Sequence, residues 1–256
     1  EVGQAIVEHP EIKAISFTGG TNTGKIVAAT AAPLFKKLSL ELGGKNASIV
    51  LDDADLDTAV PGVLRASFLN SGQICLCGSR VIVNSSIYDE FMDKYLQQLK
   101  EFNIGPVISE QHRTKVLSYI ELAKEEGGEI IAGGNVPDKA GSWIEPTVIA
   151  GLSHTSKTAT EEIFGPVVTV HKFDTDEEAI EMANCTQYGL AGSVWSQNRG
   201  RQVAEKIESG MVWVNTWLHR DLRVPFGGVK DSGVGREGGM WSIDFFSEAV
   251  NICVME

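Results

Sequence analysis

The chain has 256 residues, a formal net charge of −12 and an apolar fraction of 43%. A chain of this length can bury a core as one large domain or as two small ones. The acidic balance offers no basic patch to nucleic acid or to an anionic membrane, so we expect neither as a partner. The first ten residues lack the pattern of a signal peptide, and no apolar run approaches the roughly 20 residues of a membrane helix.

The four cysteines are Cys75, Cys77, Cys185 and Cys253. They are too few and too irregularly spaced for a disulfide framework, and free thiols are typical of a reducing compartment. We therefore expect a cytoplasmic protein. Neither the Cys-x-Cys pair nor the five histidines have clustered partners at ligand spacing, so no metal site is expected.

The N-terminal part predicts a helix over 2–9 and a strand over 14–18. This strand runs into Gly19 and Gly20, after which polar residues open a helix through Ala32. A glycine-rich turn between a strand and a helix N-terminus can hold a phosphate. The same pattern also describes an ordinary βα turn, and the local sequence leaves both interpretations open.

A candidate base and a candidate nucleophile lie in two later turns of the chain. The segment 40–47 reads Leu-Glu-Leu-Gly-Gly-Lys-Asn-Ala, and the segment 68–79 contains Gly-Gln-Ile-Cys. Cysteine attacks as a thiolate, and a base is needed for the water that releases its product, which suits Cys75 and Glu41. A helix is predicted between them, and the aspartates at 52–57 are interpreted as its N-terminus rather than as a cation site.

Strands and helices alternate through the rest of the chain. We predict strands over 81–83, 143–149, 167–170, 190–195 and 211–215, and helices over 87–102, 112–126, 176–183 and 200–207. This alternation predicts an α/β protein with a mostly parallel sheet and flanking helices. The tail over 245–254 alternates as an edge strand would.

Two more blocks complete a recognisable set. They are Thr-Glu-Glu-Ile-Phe-Gly-Pro-Val at 160–167 and a glycine-rich run from Val224 to Glu237. With the glutamate and cysteine turns, they make the chain resemble the C-terminal half of the aldehyde dehydrogenase superfamily. The resemblance implies oxidation of a small-molecule aldehyde to the acid through a thiohemiacetal and a thioester on Cys75, with Glu41 activating the water.

The resemblance also implies a cofactor site for NAD. The residues that would form it are Gly19, Gly20, Gly24, Leu42, Gly43, Glu162 and Phe164. Glu162 would accept hydrogen bonds from a ribose, and Phe164 would pack beside the nicotinamide. Taken alone, the 160–167 block is better described as a Gly-Pro turn preceded by solvated glutamates. The family residues that distinguish NAD from NADP lie upstream of this sequence.

Three segments follow from the resemblance: a remnant of the NAD-binding domain over 1–43, a catalytic domain over 44–235, and a return helix with an oligomerisation strand over 236–256. We therefore expect a homo-oligomer or an assembly with a full-length paralogue. The loop at 103–105 is shorter than in the family. An alternative is a truncated, inactive isoform that acts as an assembly partner, and a third option is a cofactor-free thioesterase.

The substrate class is indicated by the run from Asn215 to Phe226, which resembles the 2-aminomuconic and 2-hydroxymuconic semialdehyde dehydrogenases. Arg220 and Arg223 would suit an aldehyde that carries a carboxylate, because a guanidinium binds a carboxylate bidentately. Arg220 is preferred for this contact, with Phe226 as a wall of the tunnel. The competing interpretation is that Arg220 pairs with Asp221 or with another acidic residue at the surface. Cys77 is interpreted as a spectator or as a redox partner of Cys75.

Overall fold

The computed structural model describes residues 1–256. The nine helices are α1 (Val2–Glu8), α2 (Thr21–Ala31), α3 (Leu56–Phe68), α4 (Tyr88–Leu99), α5 (Glu110–Glu125), α6 (Lys157–Thr160), α7 (Asp176–Asn184), α8 (Gly200–Ala204) and α9 (Gly239–Phe246). The twelve strands are β1 (Ala14–Thr18), β2 (Lys37–Glu41), β3 (Ala47–Val50), β4 (Arg80–Asn84), β5 (Glu129–Ala132), β6 (Thr147–Ala150), β7 (Val167–Phe173), β8 (Tyr188–Gly189), β9 (Ala191–Trp195), β10 (Met211–Val214), β11 (Val229–Lys230) and β12 (Gly233–Val234).

The main sheet has seven strands in the order β10-β9-β3-β4-β7-β6-β5. All neighbours are parallel except β5 and β6. Every residue of β3 and β4 is buried, because helices cover both faces of the sheet. In β4, Val81 and Val83 pack in the cluster that contains α3 and α4, whereas Ile82 packs in the cluster that contains α7 and α8. The predicted α/β fold class is confirmed.

A smaller sheet carries the candidate base. Strand β2 pairs in parallel with β1 and antiparallel with β12. Glu41, the last residue of β2, therefore lies opposite Thr18 on one side and Gly233 on the other. Because β12 comes from the segment predicted as catalytic domain, that segment contributes a strand to the sheet predicted as a remnant. The division into three segments stays a prediction.

The structure differs from the predicted elements in several places. Strand β5 was not predicted, and it pairs antiparallel at the sheet edge with a register shift. The strand predicted from position 143 begins at Thr147, because Pro146 has no N–H to donate and the Glu145 N–H donates to Asn135 instead. The strand predicted over 245–254 is wrong for this single chain, since Phe246 ends α9 and the residues after it are exposed and pair with no strand.

None of the helices has both the length and the apolar composition needed to cross a membrane.

Helix α3 packs on the sheet through a glycine. A Cβ atom at Gly62 would lie 2.1 Å from the ring of Trp195, so a methyl group has no room there. We expect Gly62→Ala to lower the free energy of unfolding by about 1–3 kcal/mol in a urea titration, because overpacking outweighs the helix propensity of alanine. The matched control is Gly3→Ala in α1, where no atom lies within 4 Å of the new methyl group. Equal stability of the two variants would contradict this packing.

Candidate active site

The candidate nucleophile lies in a tight turn after α3. Asn70, Ser71 and Gly72 have positive φ angles of 51°, 57° and 71°, so the helix cannot continue. Only glycine fits at position 72, because a Cβ atom would lie 2.1 Å from the Gly165 carbonyl oxygen. The thiol of Cys75, three residues later, is half-buried.

Asn46 fixes this turn to the main sheet. Its Nδ2 donates to the Cys75 carbonyl at 2.7 Å and to the Cys77 carbonyl at 2.9 Å, while its Oδ1 accepts the Ala191 N–H at 3.0 Å. The side chain is buried. These three bonds use both N–H donors of its amide and one acceptor site of its oxygen. Sequence reasoning did not single out Asn46, because nothing in the local pattern shows what its amide contacts.

The carboxylate of Glu41 is buried without a partner. Neither of its oxygens makes a hydrogen bond, and a Cβ atom on Gly227 would lie 2.9 Å from Oε1. Burial and the negative charge of Glu237 raise the pKa of Glu41 to about 8, against the lowering effect of Arg236 and Arg220. The group is therefore mainly protonated at neutral pH and becomes a base as the pH rises through 8.

The thiol and this carboxylate influence each other. Burial, followed by the charges of Glu162 and Glu41, raises the pKa of Cys75 above its ordinary value. Each charge disfavours the other, so the thiolate and the carboxylate do not form easily together. A pair of groups whose pKa values are shifted by burial and by each other is typical of catalytic sites.

Cys75 opens into a cavity of about 540 Å³, here called the cysteine cavity. Its lining brings together seven of the residues singled out by sequence, namely Gly19, Gly20, Leu42, Gly43, Cys75, Glu162 and Phe164. The remaining lining residues are Thr18, Gln73, Ile74, His112 and Lys115. Gly24 does not line it, because Gly24 packs behind the wall, where a Cβ atom would lie 2.4 Å from Leu42.

Glu162 is held against the glycine turn. Its Oε1 accepts the Gly44 N–H at 3.0 Å, and a Cβ atom on Gly43 would lie 2.5 Å from its Oε2. Burial raises the pKa of Glu162, whereas the Gly44 N–H and the nearby Lys115 lower it. The solvated-glutamate interpretation therefore does not describe Glu162, whose carboxylate faces the cavity with one oxygen bound.

Helix α5 contributes two cavity residues that sequence reasoning missed. The Nε2 atom of His112 lies 2.6 Å from the Phe164 carbonyl oxygen, and Lys115 donates to the Glu162 carbonyl at 3.2 Å. The two side chains are three residues apart and share a helix face. The spacing of His112 and Lys115 in the sequence gave no sign that this helix face meets the 160–167 block.

A second cavity, here called the arginine cavity, lies along the segment from His219 to Phe226. It is lined by Met211, Trp213, His219, Arg220, Asp221, Leu222, Val224, Pro225, Phe226, Glu237 and Gly238. The guanidinium carbon of Arg220 lies 4.2 Å from the centroid of the Phe226 ring, a cation–π contact. Both Arg220 and Phe226 line this cavity, and their contact with a substrate stays a prediction.

The ion pairs of this segment distinguish its two arginines. Arg223 donates from Nε to both carboxylate oxygens of Asp221, at 2.9 and 3.1 Å, and its side chain is 88% exposed. Asp221 therefore pairs with Arg223 and not with Arg220. Arg223 does not line the cavity, so the geometry favours Arg220 for binding a carboxylate.

The remaining thiols take no part in the site. Cys77 is buried, its Sγ atom lies 3.8 Å from the Leu69 carbonyl oxygen, and burial raises its pKa to about 12. A thiol that stays protonated and buried is a poor redox partner, which favours the spectator interpretation. Cys185 and Cys253 are exposed, and the structure brings together no group of three metal-ligating side chains.

Comparison with known proteins places this geometry in a family. The profile of the aldehyde dehydrogenase family matches residues 1–252, and the chain belongs to that family. It is 48% identical to a 2-aminomuconic 6-semialdehyde dehydrogenase of Pseudomonas sp, covering 98% of this chain and 55% of that protein. It is 47% identical to the 2-aminomuconic semialdehyde dehydrogenase of Homo sapiens, covering 99% and 56%.

Solved structures agree. The crystal structure of a betaine aldehyde dehydrogenase from Staphylococcus aureus in complex with NAD+ is 39% identical with a TM-score of 0.91, covering 100% of this chain and 56% of that one. An NAD-dependent aldehyde dehydrogenase from Sinorhizobium meliloti is 38% identical with a TM-score of 0.94, covering 96% and 51%. The chain thus spans about half the length of the relatives it matches.

The unpartnered carboxylate of Glu41 should make the free energy of unfolding depend on pH. Its pKa is about 8 in the folded chain and near 4.5 when solvated. Between these values the native state holds the proton more tightly than the unfolded state does, so the free energy of unfolding falls as the pH rises. The resulting destabilisation is absent below pH 4.5 and complete above pH 8. We expect Glu41→Gln to raise the free energy of unfolding by a few kcal/mol, to order of magnitude, at pH 9 and by little at pH 4.5. Urea titrations at both pH values measure this difference, and a gain that does not change with pH would contradict it.

Proposed function

We propose that this chain carries out NAD-dependent oxidation of an aldehyde that bears a carboxylate, such as a 2-amino- or 2-hydroxymuconic semialdehyde. The observation that carries the proposal is the unpaired guanidinium of Arg220, which lines a cavity close enough to Glu41 to lower its pKa. Similarity to relatives named for these semialdehydes supports the substrate class. Such substrates combine a carboxylate, a neighbouring amino or hydroxyl group, and a distant aldehyde.

The cysteine cavity fits the nicotinamide end of NAD. Leu42 and Phe164 offer apolar surface, and Glu162 offers a carboxylate oxygen with no hydrogen-bond donor in the chain. Gly20 adds no side chain, and a Cβ atom there would meet nothing within 4 Å, so the mouth stays open at that wall. These residues would hold the nicotinamide and its ribose, and bound NAD would supply the hydride acceptor of the oxidation.

The chain's own residues can carry the remaining steps. The Cys75 thiolate adds to the aldehyde carbon, and the carbonyl electron pair moves to the oxygen. The N–H groups of Cys75 and Leu76, which lower the pKa of the thiol, would stabilise that oxygen. After oxidation to the acyl level, Glu41 accepts a proton from water as the water oxygen attacks the thioester carbon. The C–S bond then breaks, which releases the acid and restores the thiolate.

A second candidate is an assembly partner without activity of its own. The observation in its favour is the exposed apolar tail, in which Val250, Ile252, Val254 and Met255 are each at least 79% exposed. Apolar side chains so exposed are typical of a segment that packs against another chain. A homo-oligomer or a longer paralogue would supply that surface.

The substrate proposal predicts a selective effect of Arg220→Ala. Loss of a charge-assisted contact to the carboxylate should lower kcat/KM for a muconic semialdehyde by roughly 10–100-fold, with little change for an aliphatic aldehyde. NADH formation measures both rates. Arg223→Ala should have a smaller effect because its guanidinium pairs with Asp221, and Arg201→Ala, at an exposed pair with Glu205, is the control.

Equal losses for the two aldehydes would contradict the role of Arg220 while leaving an aldehyde dehydrogenase. No NADH from folded protein would favour the assembly partner.

A further inference from the structure

The arginine cavity holds a carboxylate as well as a guanidinium. Glu237 lines the cavity beside Arg220, and its Oε1 accepts the Ser16 hydroxyl at 3.2 Å. No arginine or lysine pairs with Glu237, and Arg220 pairs with no acid; the ion pair in this segment joins Asp221 and Arg223. The cavity thus presents two unneutralised charges of opposite sign.

One backbone bridge positions both charges. Phe226 and Glu237 exchange two hydrogen bonds, at 2.8 Å from the Phe226 N–H and at 2.7 Å from the Glu237 N–H. The Phe226 ring in turn lies under the guanidinium of Arg220. Because the bridge fixes Glu237 relative to the ring on which Arg220 rests, the two charged groups keep a defined relation to each other.

We propose that Glu237 determines specificity by accepting a hydrogen bond from an amino or hydroxyl group next to the carboxylate that Arg220 binds. The inference rests on the proposed function and adds a contact from Glu237 to the contact that Arg220 makes with the substrate. A carboxylate ligand alone would neutralise Arg220 but leave one oxygen of Glu237 without a donor, because Ser16 donates only to Oε1. A ligand with a donor on the neighbouring carbon satisfies both groups, since a hydrogen bond to a charged acceptor is stronger than one to a neutral acceptor.

The position of Glu237 also excludes other ligands. A second anionic group beside the bound carboxylate would face Glu237 and be repelled. The other carboxylate in the lining, Asp221, is occupied by Arg223 and offers no competing acceptor. The preferred ligand class is therefore a 2-amino- or 2-hydroxy-substituted carboxylate.

The test is calorimetric titration of the full chain with 2-hydroxymuconate and with cis,cis-muconate, which lacks the hydroxyl group. Neither ligand has an aldehyde, so binding is measured without turnover or NAD. We expect wild-type protein to bind 2-hydroxymuconate about tenfold more tightly. Glu237→Met, which keeps the length but removes the acceptor, should abolish this ratio, and Glu237→Gln should give an intermediate ratio. Glu205→Gln, at an exposed ion pair with Arg201, should leave the ratio unchanged.

The outcomes separate the two proposals. A wild-type ratio near one, or a ratio that Glu237→Met leaves intact, overturns the role of Glu237. If Arg220→Ala still weakens both ligands in that case, the carboxylate site stands without it. If neither ligand binds to folded protein, or if Arg220→Ala changes nothing, the carboxylate site of the proposed function fails and the role of Glu237 fails with it.

Discussion

The close approach of three chain segments at Gly43 and Gly44 is the constraint on which the site depends. A Cβ atom on Gly44 would lie 2.7 Å from the Cys75 carbonyl oxygen, and one on Gly43 would lie 2.5 Å from Glu162. Any side chain at these positions would push the cysteine turn or the Glu162 carboxylate outward. Glu41 lies two residues before Gly43, so the same turn sets the separation between the base and the nucleophile.

The ionised forms of the charged groups in this site are destabilised by their proximity to one another. The charges of two carboxylates, those of Glu162 and Glu41, act on a half-buried thiol, and Glu41 has no hydrogen-bond partner at all. An unpartnered buried carboxylate destabilises a folded chain when it ionises. The hydrogen bonds of Asn46 on the opposite side of the turn hold the thiol in place against this repulsion.

Much of the fold could be predicted from the sequence, because its core strands are short apolar runs separated by amphipathic helices. Strand β5 was missed because Glu129–Ala132 is a half-exposed edge whose pairing depends on β6. The cavity glycines and Cys75 were found because their motifs are local. Asn46, His112 and Glu237 were not found, because their partners are distant in sequence. Which arginine pairs with Asp221 likewise depends on how the segment folds.

The central claim is that the charge of the Glu41 carboxylate acts on Cys75 and helps to raise the pKa of its thiol. The most direct test is the rate of alkylation of Cys75 by iodoacetamide as a function of pH, followed by peptide mass spectrometry so that the exposed Cys185 and Cys253 are counted separately. Because the charge of Glu41 raises the pKa of Cys75, Glu41→Gln should shift the midpoint of the Cys75 profile to lower pH. An identical midpoint in the wild-type protein and in the variant would contradict the account.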